Sequence, residues 1–272
     1  MISEMFSYDF IQRAFAGGVL VSLCAALLGV SLVLKRYSMI GDGLSHVSFG
    51  ALSIAVAFGF APIQFSIPVV IVAAFLLLRL AENGKIKNDA AIALVSASSL
   101  AIGVIVTSLT TGLSTDVNSY MFGSILAMSK DDVVMSVILS IVVLIMFVFC
   151  YHKIFAVTFD ENFSKATGVR VGMYNTLISI FTAVTVVIGI KMMGAMLISS
   201  LIIFPALTSM RVFKSFLSVT VCSSVLAVIN FTIGLVASYA WSIPAGASVV
   251  VANLGMFFVF NIVAVVKNKN IY

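Results

Sequence analysis

VVMSVILSIVVLIMFVFCY, residues 133–151, decides the fold class: no residue in it is charged, and Ser136 and Ser140 are its only strongly polar side chains. As an α-helix rising about 1.5 Å per residue, this stretch reaches roughly across a ~30 Å hydrocarbon core with its backbone groups bonded internally. A membrane β-strand would alternate apolar and polar residues, which this stretch does not do. Similar runs recur along all 272 residues, 62% of which are hydrophobic and 9% charged, with a mean hydropathy of +1.22. Soluble domains carry about 25% charged residues. A soluble domain, a disordered chain and a nucleic-acid binder are therefore excluded. The chain reads as all-α, a polytopic integral membrane helical bundle in the lipid bilayer, with residues 1–272 forming one transmembrane domain.

Outward from that stretch, apolar runs separated by polar or turn residues predict about nine spans, at 12–34, 39–60, 62–80, 90–112, 132–151, 172–190, 192–210, 216–239 and 245–266. Residues 112–131 break the pattern, and Tyr120–Met128 within them suits a short re-entrant or interfacial helix. The tight link at Lys191 is the other irregular boundary, so the range is eight to ten spans. Lys35, Arg36, Arg79, Lys85, Lys87, Lys153, Lys165, Arg170, Arg211, Lys214, Lys267 and Lys269 all fall on one side, leaving Arg13, Lys130 and Lys191 for the other. The positive-inside rule makes the richer side cytoplasmic, with the N-terminus outside and the C-terminus, Lys267–Tyr272, cytoplasmic. The net charge of +5 is thus mostly topological. Met1–Phe10 carries Glu4 and Asp9 and lacks a basic leader region, so the first span is expected to be retained. Cys24, Cys150 and Cys222 lie far apart in apolar runs and read as core residues without a disulfide.

The longest cytoplasmic connection, about 152–171, reads HKIFAVTFDENFSKATGVRV. Asp160 can cap a helix with Glu161 in its first turn, and Gly168 after Ala166 and Thr167 is a natural stop. A short amphipathic helix under the membrane is one reading, and a solvated loop the other.

No phosphate-cradling G-x-x-x-x-G-K-[ST] loop, no H-E-x-x-H and no G-x-S-x-G occurs, so uphill transport would draw its energy from a partner or an ion gradient. The strongest chemical feature is RYSMIGDGLSHVSFG, residues 36–50. Asp42 and His46 stand i, i+4, on one helix face. Ionisable groups inside a membrane are costly and mark pathways or partners. A carboxylate with an imidazole suits Zn²⁺ or Mn²⁺. The alternative is a structural pair, with His46 bonded to Asp42 and Ser45 and Ser48 tying helices together.

A second patch, KMMGAMLISSLIIFPALTSMRVF (191–213), holds the small residues Gly194, Ala195, Ser199 and Ser200, and Pro205, which frees carbonyls or simply kinks a packed helix. In WSIPAGASVVVANLG (241–255), Trp241 and Pro244 suit an anchored helix start. Met192, Met193 and Met196 read as core filler rather than soft-metal ligands. His152 reads as a surface residue at a helix end. Asn175, Asn230, Asn253 and Asn261 are candidate interhelical hydrogen-bonders.

Taken together, RYSMIGDGLSH, YMFGSILAMSKDD (120–132), FDENFSKATG (159–168), the 191–209 patch and IPAGASVVV (243–251) resemble the permease subunits of ATP-binding-cassette importers for zinc, manganese and iron. The likeness runs over nearly the whole chain and is closest to the zinc-uptake permeases, in Tyr120–Gly123 and around Lys191. Gly43 and Leu207 depart from the usual pattern. The resemblance implies a type II importer-like bundle in a bacterial inner membrane, not itself an enzyme and with no tightly bound cofactor. It implies a permease homodimer with two cytoplasmic ATP-binding subunits and an extracytoplasmic metal-binding protein. It further implies Asp42 and His46 as transient metal contacts, Asp160, Glu161, Ala166 and Gly168 as ATPase-coupling residues, and Ser199, Ser200 and Pro205 along the pathway or its packing. The cargo it implies is Zn²⁺ first, then Mn²⁺ or Fe²⁺. The rival reading is a proton-coupled secondary carrier with Asp42 and His46 as relay, although no internal repeat of the kind such carriers often show is visible.

Overall fold

A computed structural model describes residues 7–82, 88–110 and 130–269. Most of those residues are helical, joined by short turns. The helices are α1 (Asp9–Leu34), α2 (Ile40–Ala57), α3 (Pro62–Glu82), α4 (Asn88–Thr110), α5 (Lys130–Phe159), α6 (Glu161–Ala166), α7 (Val171–Met193), α8 (Ala195–Val212), α9 (Phe216–Trp241) and α10 (Ala245–Lys269). Eight of them are long and apolar enough to cross a membrane. A ninth long helix, α3, contributes a shorter apolar stretch, Pro62–Leu77, and α6 is a single short piece. These follow the expected spans closely. The expected feature at Tyr120–Met128 lies outside the described residues.

The bundle is organised around α1 and α7. Helix α1 packs on α5, α7, α8 and α9, and α7 also touches α2, α3 and α8. Contact this close needs small residues. At Gly29 a Cβ would stand 2.0 Å from the Ile202 carbonyl oxygen, and at Gly234 2.4–2.6 Å from Val249, so the helix pairs α1–α8 and α9–α10 meet nearly backbone to backbone. Lipid offers no hydrophobic drive between helices, so close packing of this kind is what holds them together. Several buried hydroxyls bond within their own helices: Ser22 donates to the Gly18 carbonyl, Thr182 to Ile178 and Thr220 to Phe216, each at 2.7 Å. At the margins, α4 touches only α2 and α3, and α10 only α8 and α9, among the larger helix contacts. Leu109, Ile105, Phe258 and Ile262 stand exposed on them, as lipid-facing residues do.

Two boundaries differ from the sequence reading. The fifth span continues as helix through His152–Phe159, where a loop was expected to begin. Its 30 residues run about 45 Å, well past a ~30 Å hydrocarbon core. Tertiary packing explains the extension, because Tyr151, Phe155 and Phe159 stack on Phe216 at the start of α9, with ring centroids 5.5, 5.2 and 6.2 Å away. The joint expected at Lys191 sits instead at Gly194, with φ 87° and ψ 161°, a region open almost only to glycine. Helix α7 therefore runs through Lys191 and turns into α8 without a loop.

Candidate functional site

Five residues separate α2 from α1, and Asp42 lies in the first turn of α2, where a carboxylate suits the positive end of the helix dipole. His46 lies one turn on. Its Nε2 stands 3.7 Å from Asp42 Oδ2, beyond the 2.7–3.2 Å typical of a hydrogen bond. Two donors on one tetrahedral zinc, each about 2.0–2.1 Å from the ion, would stand about 3.3 Å apart. The gap is wider than either spacing, so the two groups are not hydrogen-bonded to each other and would close slightly to share one ion. The Asp42 side chain is 40% exposed and that of His46 22%, so an ion could reach both from one side, although most of α2 is buried.

Asp42 also has a partner on α8. Ser199 donates to Asp42 Oδ1 at 3.2 Å and also to its own Ala195 carbonyl at 3.1 Å. The expected structural alternative placed Ser45 and Ser48 across a helix interface. Ser45 instead donates to the Asp42 carbonyl in its own helix, and Ser48 has no hydrogen-bond partner. Among the described residues no group of three His, Cys, Asp or Glu side chains gathers. What the described residues bring together is one carboxylate and one imidazole, with the Ser199 hydroxyl bonded to the carboxylate.

The other candidates fall elsewhere. Ser200 faces away from Asp42 into a buried network, accepting from Asn253 at 3.2 Å while Asn253 accepts from Asn230 at 2.7 Å. Asn230 and Asn253 thus bond between helices as expected, holding α8, α9 and α10 in register beside the site. Asn261 bonds only to Phe257 in its own helix. Pro205 is buried within α8, which continues past it, and its carbonyl accepts from Ser209 at 2.7 Å.

The short helix takes the form its sequence suggests. Asp160 accepts from the Phe163 amide at 2.9 Å as the N-cap. Gly168 follows the C-terminus at φ +81°. Glu161 does not point outward. It is paired at 2.8 Å with Lys35 at the end of α1, and Asn175 of α7 donates to the same Oε1 at 3.2 Å. Lys35 also donates to Asn175 Oδ1, and its side chain is only 6% exposed. Partial burial alone would raise the Glu161 carboxyl, but hydrogen bonding and charge from Lys35, with help from Asn175 and Lys165, outweigh it and hold the pKa below its ordinary value. The pair's contribution is therefore complete above the usual carboxylate range and is lost as pH falls through the depressed value. Because Glu161 is 43% exposed, that contribution is small, about 1 kcal/mol or less. The residues of α6 that do face outward are Asn162, Phe163, Lys165 and Ala166, with Phe163 64% exposed. Of the four coupling candidates, Glu161 tethers the helix, Asp160 and Gly168 bound it while remaining exposed, and Ala166 lies on its exposed face. Phe163 carried no chemical signal in the sequence, only the amphipathic spacing of a short helix.

The chain is similar to known proteins over nearly its whole length. The model of the family described as the ABC 3 transport family matches residues 7–264. The high-affinity zinc uptake system membrane protein ZnuB of Buchnera aphidicola is 29% identical over 94% of this chain and 98% of that protein. The manganese import system permease protein ScaB of Streptococcus gordonii is 27% identical over 95% and 92%. A chain of PsaBC from Streptococcus pneumoniae, solved in complex with Fab, superposes with a TM-score of 0.85 at 26% identity, covering 96% of this chain and 95% of that one. The family match spans the helices that carry Asp42, His46, Ser199 and the α6 tether, and the chain belongs to the ABC 3 transport family.

Proposed function

We propose that this chain is the membrane permease of an ATP-driven importer for a divalent transition-metal ion, with Zn²⁺ the preferred cargo. The observation that carries this reading is the Asp42–His46 pair, a carboxylate and an imidazole 3.7 Å apart on one helix face, with Ser199 bracing the carboxylate from α8. An imidazole favours zinc over manganese, as does the general order of divalent-metal affinities, while carboxylate and hydroxyl oxygens leave manganese admissible. Relatives named for zinc and for manganese import support the class of cargo. Two copies would bring two such half-shells to one pathway, and alternating access would pass the ion from an extracytoplasmic binding protein to the cytoplasm. The chain breaks no covalent bond. ATP hydrolysis falls to separate subunits, which would dock on the exposed face of α6 on the cytoplasmic side, with the N-terminus outside and the complex in a bacterial inner membrane.

The test is reconstitution into proteoliposomes with the partner ATPase and a metal-loaded binding protein. ⁶⁵Zn²⁺ should accumulate only with hydrolysable ATP and independently of an imposed proton gradient. Uptake driven by the proton gradient without ATP would assign the chain to secondary transport instead.

A further inference from the structure

The tether beneath α6 connects the two functional parts of the chain. Lys35 caps α1, its amide bonded to the Ser31 carbonyl, and its ammonium holds Glu161 of α6 and Asn175 of α7. The chain then turns sharply, with Arg36 at φ 61° and the Tyr37 amide on the Leu32 carbonyl, before α2 starts at Ile40. Asp42 lies seven residues beyond Lys35. A nearly buried ammonium with two partners on two other elements has no freedom to act as a merely topogenic charge. Removing it would leave Glu161 tied to Asn175 alone, with the end of α1 no longer fixed to α6.

We infer that Lys35 is a positioning residue that latches α6 to the α1–α2 turn, so that displacement of α6 is delivered to Asp42 and His46. This rests on reading α6 as the helix on which the ATPase docks. Helix α6 has six residues and makes its larger contacts only with α5 and α7. The Glu161–Lys35 ion pair is its charged link to α1, and through the turn to α2. Without the latch, α6 moves with the ATPase while the pathway residues stay behind, and ATP is spent without transport.

The test uses the complete complex in proteoliposomes and reads metal imported per ATP hydrolysed. Lys35→Met keeps the ATPase subunit bound and active, while the ratio falls about fivefold or more, the lower end of typical site-to-site coupling. Lys35→Glu, facing Glu161 as a like charge, falls further, and the swap Lys35→Glu with Glu161→Lys recovers part of the loss. Amide hydrogen exchange across Glu161–Ala166, which needs no transport, quickens in Lys35→Met. An unchanged ratio in Lys35→Met, or loss of the ATPase subunit from that variant, overturns the latch. A wild-type complex that imports no metal contradicts the importer reading instead, and the exchange rates then judge the latch alone: quicker exchange upholds it and unchanged exchange overturns it.

Discussion

Replacing Asp42 with alanine is expected to lower ATP-driven zinc uptake about 100-fold, equivalent to roughly 2.7 kcal/mol in the barrier. The carboxylate offers one oxygen toward His46 and receives Ser199 on the other, so its removal takes away the site's carboxylate and leaves the serine bonded only to the Ala195 carbonyl. His46→Ala is expected to cost about tenfold or more, and Ser199→Ala about fivefold, the order of one lost ordinary hydrogen bond, since the Ser199 hydroxyl is shared with the Ala195 carbonyl. The Asp42→Ala/His46→Ala double variant should be little worse than Asp42→Ala alone, since groups that act as one ligand set are not additive. Initial uptake rates at matched membrane abundance are the measurement. Losses that simply multiply would instead describe two independent structural contacts.

The second large effect is on the bundle itself. Gly29→Val places a Cβ 2.0 Å from the Ile202 carbonyl oxygen and 2.9 Å from its carbon. Backbone atoms cannot swing aside as a side-chain tip can, so α1 and α8 must separate. Overpacking against a main chain costs about 3 kcal/mol or more. Ile202 stands three residues beyond Ser199 on α8, so the displacement also draws the hydroxyl away from Asp42. Gly29→Val is expected to lower the thermal unfolding midpoint in detergent by well over the error of the measurement and to reduce membrane yield. Gly255→Ala supplies the contrast. Nothing lies within 4 Å of its Cβ position, and alanine is favoured over glycine inside a helix by about 0.5–1 kcal/mol, so the midpoint should hold or rise.

What the sequence disclosed follows from the range of each interaction. Asp42 and His46 share one helix, so their spacing alone placed them on one face. Asp160 and Gly168 act within a turn of themselves, and the short helix they bound was visible for that reason. Ser199 meets Asp42 across 157 positions, and Lys35 meets Glu161 across 126. No local pattern encodes such pairings. Lys35 accordingly read as one more basic residue at a membrane edge. The fifth span was cut short at Tyr151 because His152 and Lys153 mark the end of the apolar run, whereas aromatic packing on Phe216 carries the helix onward. Lys191 drew a boundary by its charge, but the break belongs to Gly194, whose backbone conformation excludes other residues. Ser200 shared small size with Ser199 and was grouped with it, yet adjacent residues on a helix point about 100° apart, and the two serve different networks.

The central claim is that Asp42 and His46 touch the permeating ion, and the most direct test changes the chemistry of one donor rather than deleting it. ⁶⁵Zn²⁺ and ⁵⁴Mn²⁺ uptake should be measured side by side in the wild type and in His46→Asp. Exchanging the imidazole for a second carboxylate replaces a nitrogen donor with oxygen, which suits manganese better than zinc. The expected result is a zinc-to-manganese uptake ratio that falls about tenfold, with manganese transport retained. A ratio equal to that of the wild type, whatever the absolute rates, would contradict the account, because a residue that only holds helices together cannot set which metal passes.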